Sequence, residues 1–180
     1  GIGTTTPATK LEVAGTVTAT GHRGFNPYFC DLIVASGTQN INVASGSAVS
    51  IEWDNQVSLE ADYYTHSTST NSERVYVDKD GMYAITFNIN WDNTGSGRVN
   101  MVAQLYRNGS ALTRTKTTAY SRGANYGDEM NSLNTYFTNL NADDYVEVKC
   151  WYDDRDQSNA VNTIGGQCFI QLLGWPDAGE

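Results

Sequence analysis

The segment GMYAITFNINW, residues 81–91, decides the fold class of this chain. Its large apolar side chains recur at every second position, and the positions between them carry mostly small or polar side chains. A period of two, sustained along the whole segment, is that of a β-strand with one buried face, and it does not fit the period of a helix. We expect the buried face to consist of Tyr83, Ile85, Phe87, Ile89 and Trp91.

Similar alternating runs, separated by turn residues, occupy most of the remaining sequence. No helix longer than a turn is predicted, and about nine short strands in one chain favour two packed antiparallel sheets, a sandwich or jelly roll. The other predicted strand regions are 28–34, 40–53 (two short strands), 75–77, 98–106, 130–140, 144–152 and 168–175.

Several connections can be predicted from their turn residues. Asp80-Gly81 is expected to form a tight turn in which glycine supplies a positive φ. Asn108-Gly109 between two alternating segments predicts a hairpin, which explains these residues better than the glycosylation sequon that Ser110 completes. The polar span 113–128 is predicted to be one long exposed loop, and His66 is placed in a solvated Ser/Thr-rich loop.

Composition and charge exclude several classes of function. The 180 residues suffice for one good core, and the formal net charge of −9 opposes sequence-independent binding to nucleic acid or to anionic lipid. No apolar run reaches the roughly 18–20 residues of a membrane-spanning helix, so membrane insertion is not expected. Three cysteines cannot all pair within one chain, and we expect them to be free, buried thiols. Cys150 and Cys168 both occupy inward-facing positions of their predicted strands, so we expect them to approach each other across the core.

The first 21 residues, GIGTTTPATKLEVAGTVTATG, contain a strand pattern with nothing of its own to pack against. Leu11, Val13, Val17 and Ala19 would share one uncovered apolar face. A lone strand is marginal in water, so we expect other copies of the chain to cover this face. The predicted organisation is a stem and linker over 1–27, continuing upstream, and a head domain over 28–180.

An enzyme is not predicted, because no positioned nucleophile, base or metal motif is evident. Exposed aromatic residues beside hydrogen-bonding groups instead indicate a binding surface for sugars or proteins, and we assign it to Tyr120, Arg122, Asn125 and Tyr126. The alternative is that these aromatic residues are buried in a subunit interface, and we favour this alternative for Trp151.

A second candidate site is the acidic stretch formed by Asp153, Asp154, Asp156 and Asn159. These side chains offer oxygen ligands of the kind that calcium prefers. Their spacing does not match the calcium-binding loop of EF-hands, and we prefer a solvated loop partly neutralised by Arg155. No cofactor is required, and calcium stays open as the alternative.

The order of these pieces resembles the globular-head superfamily of complement component one q and tumour necrosis factor. The resemblance covers roughly residues 28–175 and rests on four weak motifs in a common order. It implies an all-β, two-sheet antiparallel jelly roll that assembles as a homotrimer. The motifs are DKDGMYAITFNINW (78–91), QLYRNGSAL (104–112), LNADDYVEVKCW (140–151) and CFIQLLGW (168–175).

Residues 1–21 also resemble a segment common in bacteriophage tail fibres, through the Ile2-Gly3-Thr4-Thr5 turn, Pro7 and the following Lys10-Leu11 strand. The combined prediction is a non-enzymatic trimeric virion appendage, a fibre head on the virion surface. It would contact a host cell-surface glycan or protein receptor and other virion fibre or capsid proteins. The alternatives are a secreted lectin-like or cytokine-like trimer and a purely structural virion decoration protein.

Overall fold

The computed structural model describes residues 28–35, 39–41, 47–122, 129–155 and 161–174, and the predicted stem lies outside these ranges. Over the described residues the chain forms twelve β-strands and no α-helix, so no helix long and apolar enough to cross a membrane occurs there. The strands are β1 (Phe29–Val34), β2 (Val49–Ser50), β3 (Asn55–Leu59), β4 (Tyr64–Thr65), β5 (Val75–Val77), β6 (Gly81–Asn93), β7 (Val99–Arg107), β8 (Ser110–Ala111), β9 (Thr117–Ser121), β10 (Glu129–Leu140), β11 (Tyr145–Arg155) and β12 (Val161–Gly174).

The strands form two antiparallel sheets that enclose one core, as the alternation predicted. One sheet has five strands in the order β10-β6-β12-β1-β3. The other has seven: β4-β5-β11-β7-β8 form a path, β2 pairs with β11, and β9 pairs with β7. Neighbours such as β6 and β12 lie far apart in sequence, which is the connectivity of a jelly roll rather than of a simple meander.

β6 contributes the centre of the core. The five side chains expected to face inward, Tyr83, Ile85, Phe87, Ile89 and Trp91, are all fully buried. Each such side chain stabilises the fold by about 1.5–3 kcal/mol through the removal of apolar surface from water. The prediction made from this segment is therefore confirmed.

Gly81 begins β6, but the turn that we expected it to make is absent. Among the described glycines only Gly109 has a positive φ, of 76°, within the predicted Asn108-Gly109 hairpin. Gly81 is needed for space: a Cβ added there would lie 2.3 Å from Leu172 Cδ1 and 2.7 Å from the carbonyl oxygen of Gly174. The end of β12 passes so close that only a residue without a side chain fits.

Two predicted loops are partly strand. Thr117–Ser121 inside the span 113–128 forms β9, whose Thr117 pairs with Ala103 of β7. Ahead of it, Thr115 is fully buried, and its hydroxyl accepts from Leu105 N at 3.1 Å and donates to Leu112 O at 2.8 Å. The acidic stretch is likewise not one loop, because β11 continues through Arg155. The loop predictions were wrong for these strand residues, because pairing with β7 makes them strand although their composition is typical of loops.

The strand register separates two ends of the domain. Phe29 lies opposite Gln171 and Gly174 opposite Met82, so the described domain begins and ends on the same side, which we call the basal end. Val99 lies between Ser121 and Arg155 at the opposite side, which we call the tip. The strands β6, β9 and β11 therefore end at the tip, and β7, β10 and β12 begin there.

The three cysteines are free and buried, as expected. Leu32 lies opposite Cys168 and Cys30 opposite Ile170, so Cys30 and Cys168 are diagonal neighbours on the inward face of the five-stranded sheet. Burial raises the pKa of all three thiols, that of Cys168 to about 12. The pKa of Cys30 is raised further by the neighbouring Cys168.

Candidate functional site

Tyr120 and Arg122 lie at one corner of the tip, on the outward face of the seven-stranded sheet. The antiparallel register places Tyr120 opposite Asn100 and Thr118 opposite Val102. Side chains alternate along β9, and Tyr120 remains 56% exposed while Ser121 beside it is buried. Arg122, the next residue of the same parity, is also exposed. The strand thus presents an aromatic ring and a guanidinium side by side to solvent.

A buried asparagine holds this corner in place. Asn93, at the end of β6, is fully buried, and its Nδ2 donates to Gly97 O at 3.0 Å and to Ser121 Oγ at 3.2 Å. Its Oδ1 accepts from Gly95 N at 3.1 Å. One side chain therefore ties the end of β6, the 94–98 connection and the end of β9 together. No sequence pattern indicates this role of Asn93.

The structure also brings Arg98 to this corner, which no sequence pattern indicates. Val99 pairs with Ser121, so the residues directly beyond that pair are Arg98 and Arg122. Both arginines are exposed. By contrast, the predicted ligand contacts Asn125 and Tyr126 lie outside the described residues and stay predictions.

Two other tyrosines of the same sheet face have a basic side chain over the ring. The guanidinium of Arg74 lies 4.8 Å from the ring centre of Tyr145, and Lys149 Nζ lies 5.0 Å from that of Tyr106. Lys149 also pairs with the buried carboxylate of Glu147 at 3.2 Å. These rings are occupied by contacts within the chain, which directs attention to Tyr120 as the aromatic available to a ligand.

Trp151 is not an open interface residue, contrary to our expectation. It has the outward parity of β11, yet only 6% of it is exposed, and Lys116 Nζ lies 5.8 Å from its ring centre. Lys116 also pairs with Asp153 at 3.5 Å. The chain itself covers this indole, so no partner copy is needed to bury it.

Of the predicted calcium ligands, only Asp153 has a described side chain, and it is exposed and paired with Lys116. Asp156 and Asn159 lie outside the described residues, as does the side chain of Asp154. Within the described part of the chain, no three His, Cys, Asp or Glu side chains group as metal ligands. The calcium site stays a prediction.

His66 is buried, whereas a solvated loop residue was expected. Only 9% of it is exposed, because it directly follows β4 of one sheet and packs against Gln56 of β3 in the other. Gln56 Nε2 lies 2.9 Å from both His66 Nδ1 and His66 O, and His66 Nε2 lies 3.0 Å from Ser72 O. Both ring nitrogens are engaged, so this histidine joins the two sheets and is not a free base.

The outward face of the five-stranded sheet is unusually apolar, and we call it the apolar face. Of the six large hydrophobic side chains that are exposed among the described residues, five belong to this sheet. Leu133 and Phe137 are the most exposed, at 62% and 61%, and lie four residues apart on the same face of β10. The other three are Val57, Met82 and Leu173. Four of the five lie on the neighbouring strands β10, β6 and β12, and Val57 lies on β3 at the other edge of the sheet. Exposed apolar side chains concentrated on one sheet face are typical of an interaction surface.

A polar row crosses the same face nearer the tip. Asn131 of β10 donates through Nδ2 to the side-chain oxygens of Asn88 and Asn90 on β6. Thr86 and Thr135 hydrogen-bond across the same strand pair at 3.0 Å. Leu133 lies opposite Asn88 within this polar row, whereas Phe137, Met82 and Leu173 lie nearer the basal end.

No protein-family model and no curated protein matches this chain. Among solved structures, the globular domain of zebrafish complement 1qA superposes with a TM-score of 0.52 at 8% sequence identity, over 83% of this chain and 99% of that chain. The Eiger tumour necrosis factor of S. frugiperda gives 0.48 at 10% identity, over 85% and 97%. Murine APRIL gives 0.45 at 13%, over 80% and 99%. The likeness to the complement domain establishes the fold alone: this chain is an all-β, two-sheet antiparallel jelly roll of the complement 1q head type.

Proposed function

We propose that this chain is the head of a homotrimeric, non-enzymatic virion appendage, such as a phage tail fibre, that attaches to a glycan or protein receptor on a host cell surface. The observation that carries the proposal is the apolar face. Its exposed Leu133 and Phe137 would cost stability and solubility in a monomer, whereas burial against other copies stabilises an assembly.

The two sheets have different roles in such a trimer. The five-stranded sheet supplies the subunit interface, and the outward face of the seven-stranded sheet stays open to solvent. Tyr120 and Arg122 lie on that open face, so assembly leaves them accessible. The resemblance of residues 1–21 to tail-fibre segments supports attachment at the basal end, which directs the tip outward.

Three parallel copies would present three equal corners at the tip. If the receptor is repetitive, simultaneous engagement raises the apparent affinity by roughly 100- to 10,000-fold over a single site. This gain suits weak contacts with repeated cell-surface sugars. The virion surface is the corresponding location of the protein.

The assembly is tested with Leu133→Lys/Phe137→Lys. We expect native mass measurement at micromolar concentration to give a trimer for the wild type and a folded monomer for this variant, because two charges then lie on the apolar face. Thr118→Lys, on the opposite sheet face, is the matched control and should stay trimeric. A monomeric wild type would refute the proposed assembly.

Attachment is tested separately with Tyr120→Ala/Tyr126→Ala and a panel of bacterial strains to which the labelled wild type adsorbs. We expect this variant to lose adsorption while its oligomeric state and melting temperature stay nearly unchanged. Undiminished adsorption would remove these tyrosines from the receptor site, and dissociation into monomers would make them interface residues.

A further inference from the structure

Three asparagine side chains form a hydrogen-bonded group on the apolar face of the five-stranded sheet, and we call this group the amide cluster. Asn131 of β10 lies opposite Asn90 of β6, and its Nδ2 donates to the side-chain oxygens of Asn90 and Asn88. Asn131 is exposed, and the other two residues are half-buried. The cluster thus lies on the surface of the sheet, where the packing of the core does not explain it.

The amide cluster keeps hydrogen-bonding capacity that the described chain does not use. An asparagine side chain carries two N–H donors and one carbonyl oxygen that can accept twice. Asn131 Nδ2 is used within the cluster, whereas Asn131 Oδ1 and the Nδ2 groups of Asn88 and Asn90 have no partner among the described residues. Gly165 lies beside Asn90 and has no side chain to cover it, because a Cβ there would lie 3.5 Å from Asn90 Nδ2. The cluster therefore offers donors and an acceptor to whatever contacts this face.

The surroundings of the amide cluster favour a second copy of this chain as that contact. Leu133, which is 62% exposed, lies opposite Asn88, so the cluster borders the side chains that the proposed trimer would bury. Of the described side chains with outward parity on this sheet, only those of Asp31 and Asp92 are charged, and Asp31 accepts from Gln167 Nε2 at 2.8 Å. Copies that each carry a net charge of −9 can approach one another through a face with so few charges.

We propose that the amide clusters of the three copies hydrogen-bond to one another and thereby fix the number and the relative height of the copies in the head. This inference rests on the proposed trimer and names the residues that determine its register. Copies related by rotation about one axis place their clusters at the same level, so the donors of one cluster meet the acceptor of the next. Apolar contacts are non-directional and tolerate sliding, whereas a displaced copy would bury amides, or the carboxylate of Asp92, against apolar side chains without a partner.

The test compares the removal of one amide with the removal of all three. Asn131→Leu leaves the side-chain oxygens of Asn88 and Asn90 without their donor, and burying them then costs free energy. We expect native mass measurement to show that the trimer of this variant dissociates at a protein concentration about tenfold to hundredfold higher than that of the wild type. The triple variant Asn88→Val/Asn90→Val/Asn131→Leu removes every amide, so it should assemble at least as tightly as the wild type but in more than one oligomeric state.

The relative height of the copies is measured with a spin label on Thr118→Cys. Thr118 is exposed on the outward face of the other sheet, and the native thiols are buried. The distances between labels should form one narrow distribution when the amide cluster is present and a broad or multiple one in the triple variant, which a role confined to one copy would not produce. Thr86→Val/Thr135→Val is the matched control on the same face, because these two hydroxyls hydrogen-bond to each other at 3.0 Å. It should keep one oligomeric state and the narrow distribution.

Two results would overturn this inference and leave the proposed trimer standing. One is an Asn131→Leu variant that dissociates at the same concentration as the wild type, and the other is a triple variant that keeps one oligomeric state and the narrow distribution. If circular dichroism shows that the triple variant does not fold, the single variant decides alone. A monomeric wild type would overturn the proposed assembly and this inference with it, and the amide cluster would then be open to a different partner.

Discussion

At the scale of single residues, His66 is the clearest case of a side chain that is harder to protonate in the folded protein than in the unfolded chain. Burial lowers its pKa, and the hydrogen bond to Ser72 O opposes this shift only in part. Gln56 donates to Nδ1 and to the carbonyl oxygen of His66, so Nε2 carries the proton of the neutral ring. A second proton on Nδ1 would meet the donor amide of Gln56. The folded state therefore binds a proton at His66 less readily than the unfolded chain does.

We predict that this difference makes stability fall in mild acid. An unfolded histidine titrates near pH 6.5, and below that pH the unfolded state takes up a proton that the folded state does not until its lower pKa is reached. The free energy of unfolding should then decrease as pH falls from 7 to about 5. Urea denaturation across this range should show the decrease in the wild type and a smaller one in His66→Asn.

His22→Asn removes the other histidine of the chain and serves as the control. The free energy of unfolding of this variant should decrease between pH 7 and about 5 as much as that of the wild type, and more than that of His66→Asn. An identical pH dependence of wild type and His66→Asn would mean that His66 is not the group that loses stability in acid.

At the scale of elements, the contact between the start of β6 and the end of β12 depends on the absence of one side chain. In Gly81→Ala the new Cβ would meet Leu172 Cδ1, which can rotate, and the Gly174 carbonyl oxygen, which cannot move without the strand. We expect a loss of about 1–3 kcal/mol, as for other overpacked cores, measured by urea denaturation. Gly174→Ala is the matched control, because a Cβ there meets nothing within 4 Å, and its stability should be nearly unchanged. Equal stability of both variants would contradict a tight contact at Gly81.

The long strands could be predicted from the sequence because each carries its own signal. β6, β7 and β11 alternate large apolar and polar residues, so local pattern alone identifies them. β9 has the sequence TTAYS, in which the inward positions are Thr, Ala and Ser and no apolar alternation is visible. Its strand structure comes from pairing with β7, which is a non-local interaction that single-sequence periodicity does not detect.

The same limit applies to the candidate site. Tyr120 and Arg122 could be singled out because an aromatic and a basic residue stand close together in a polar span. Arg98 lies more than twenty positions earlier and joins them only through the register of β7 and β9. The burial of His66 was missed for a related reason, since its partner Gln56 lies on a strand of the other sheet.

At the scale of the whole molecule, the three thiols report on the integrity of the core. All are nearly inaccessible, and burial raises their pKa values, so little reactive thiolate is available in the folded state. We predict that a thiol reagent labels the native protein slowly, at a rate set by opening of the core, and labels three groups per chain after unfolding without reductant. Finding one group per chain would mean that two cysteines are paired, which favours a secreted origin over assembly in a reducing cytoplasm.

The buried amide of Asn93 defines which positions at the tip are free to vary. Its hydrogen bonds reach the chain at Gly95, Gly97 and Ser121, whereas Thr118 and Tyr120 project away from it. A library intended to redirect the head to a new surface should therefore randomise the outward row Thr118, Tyr120 and Arg122 and keep the residues that hold Asn93. Such a library samples new side-chain chemistries while the hydrogen bonds of Asn93 keep the surrounding backbone unchanged.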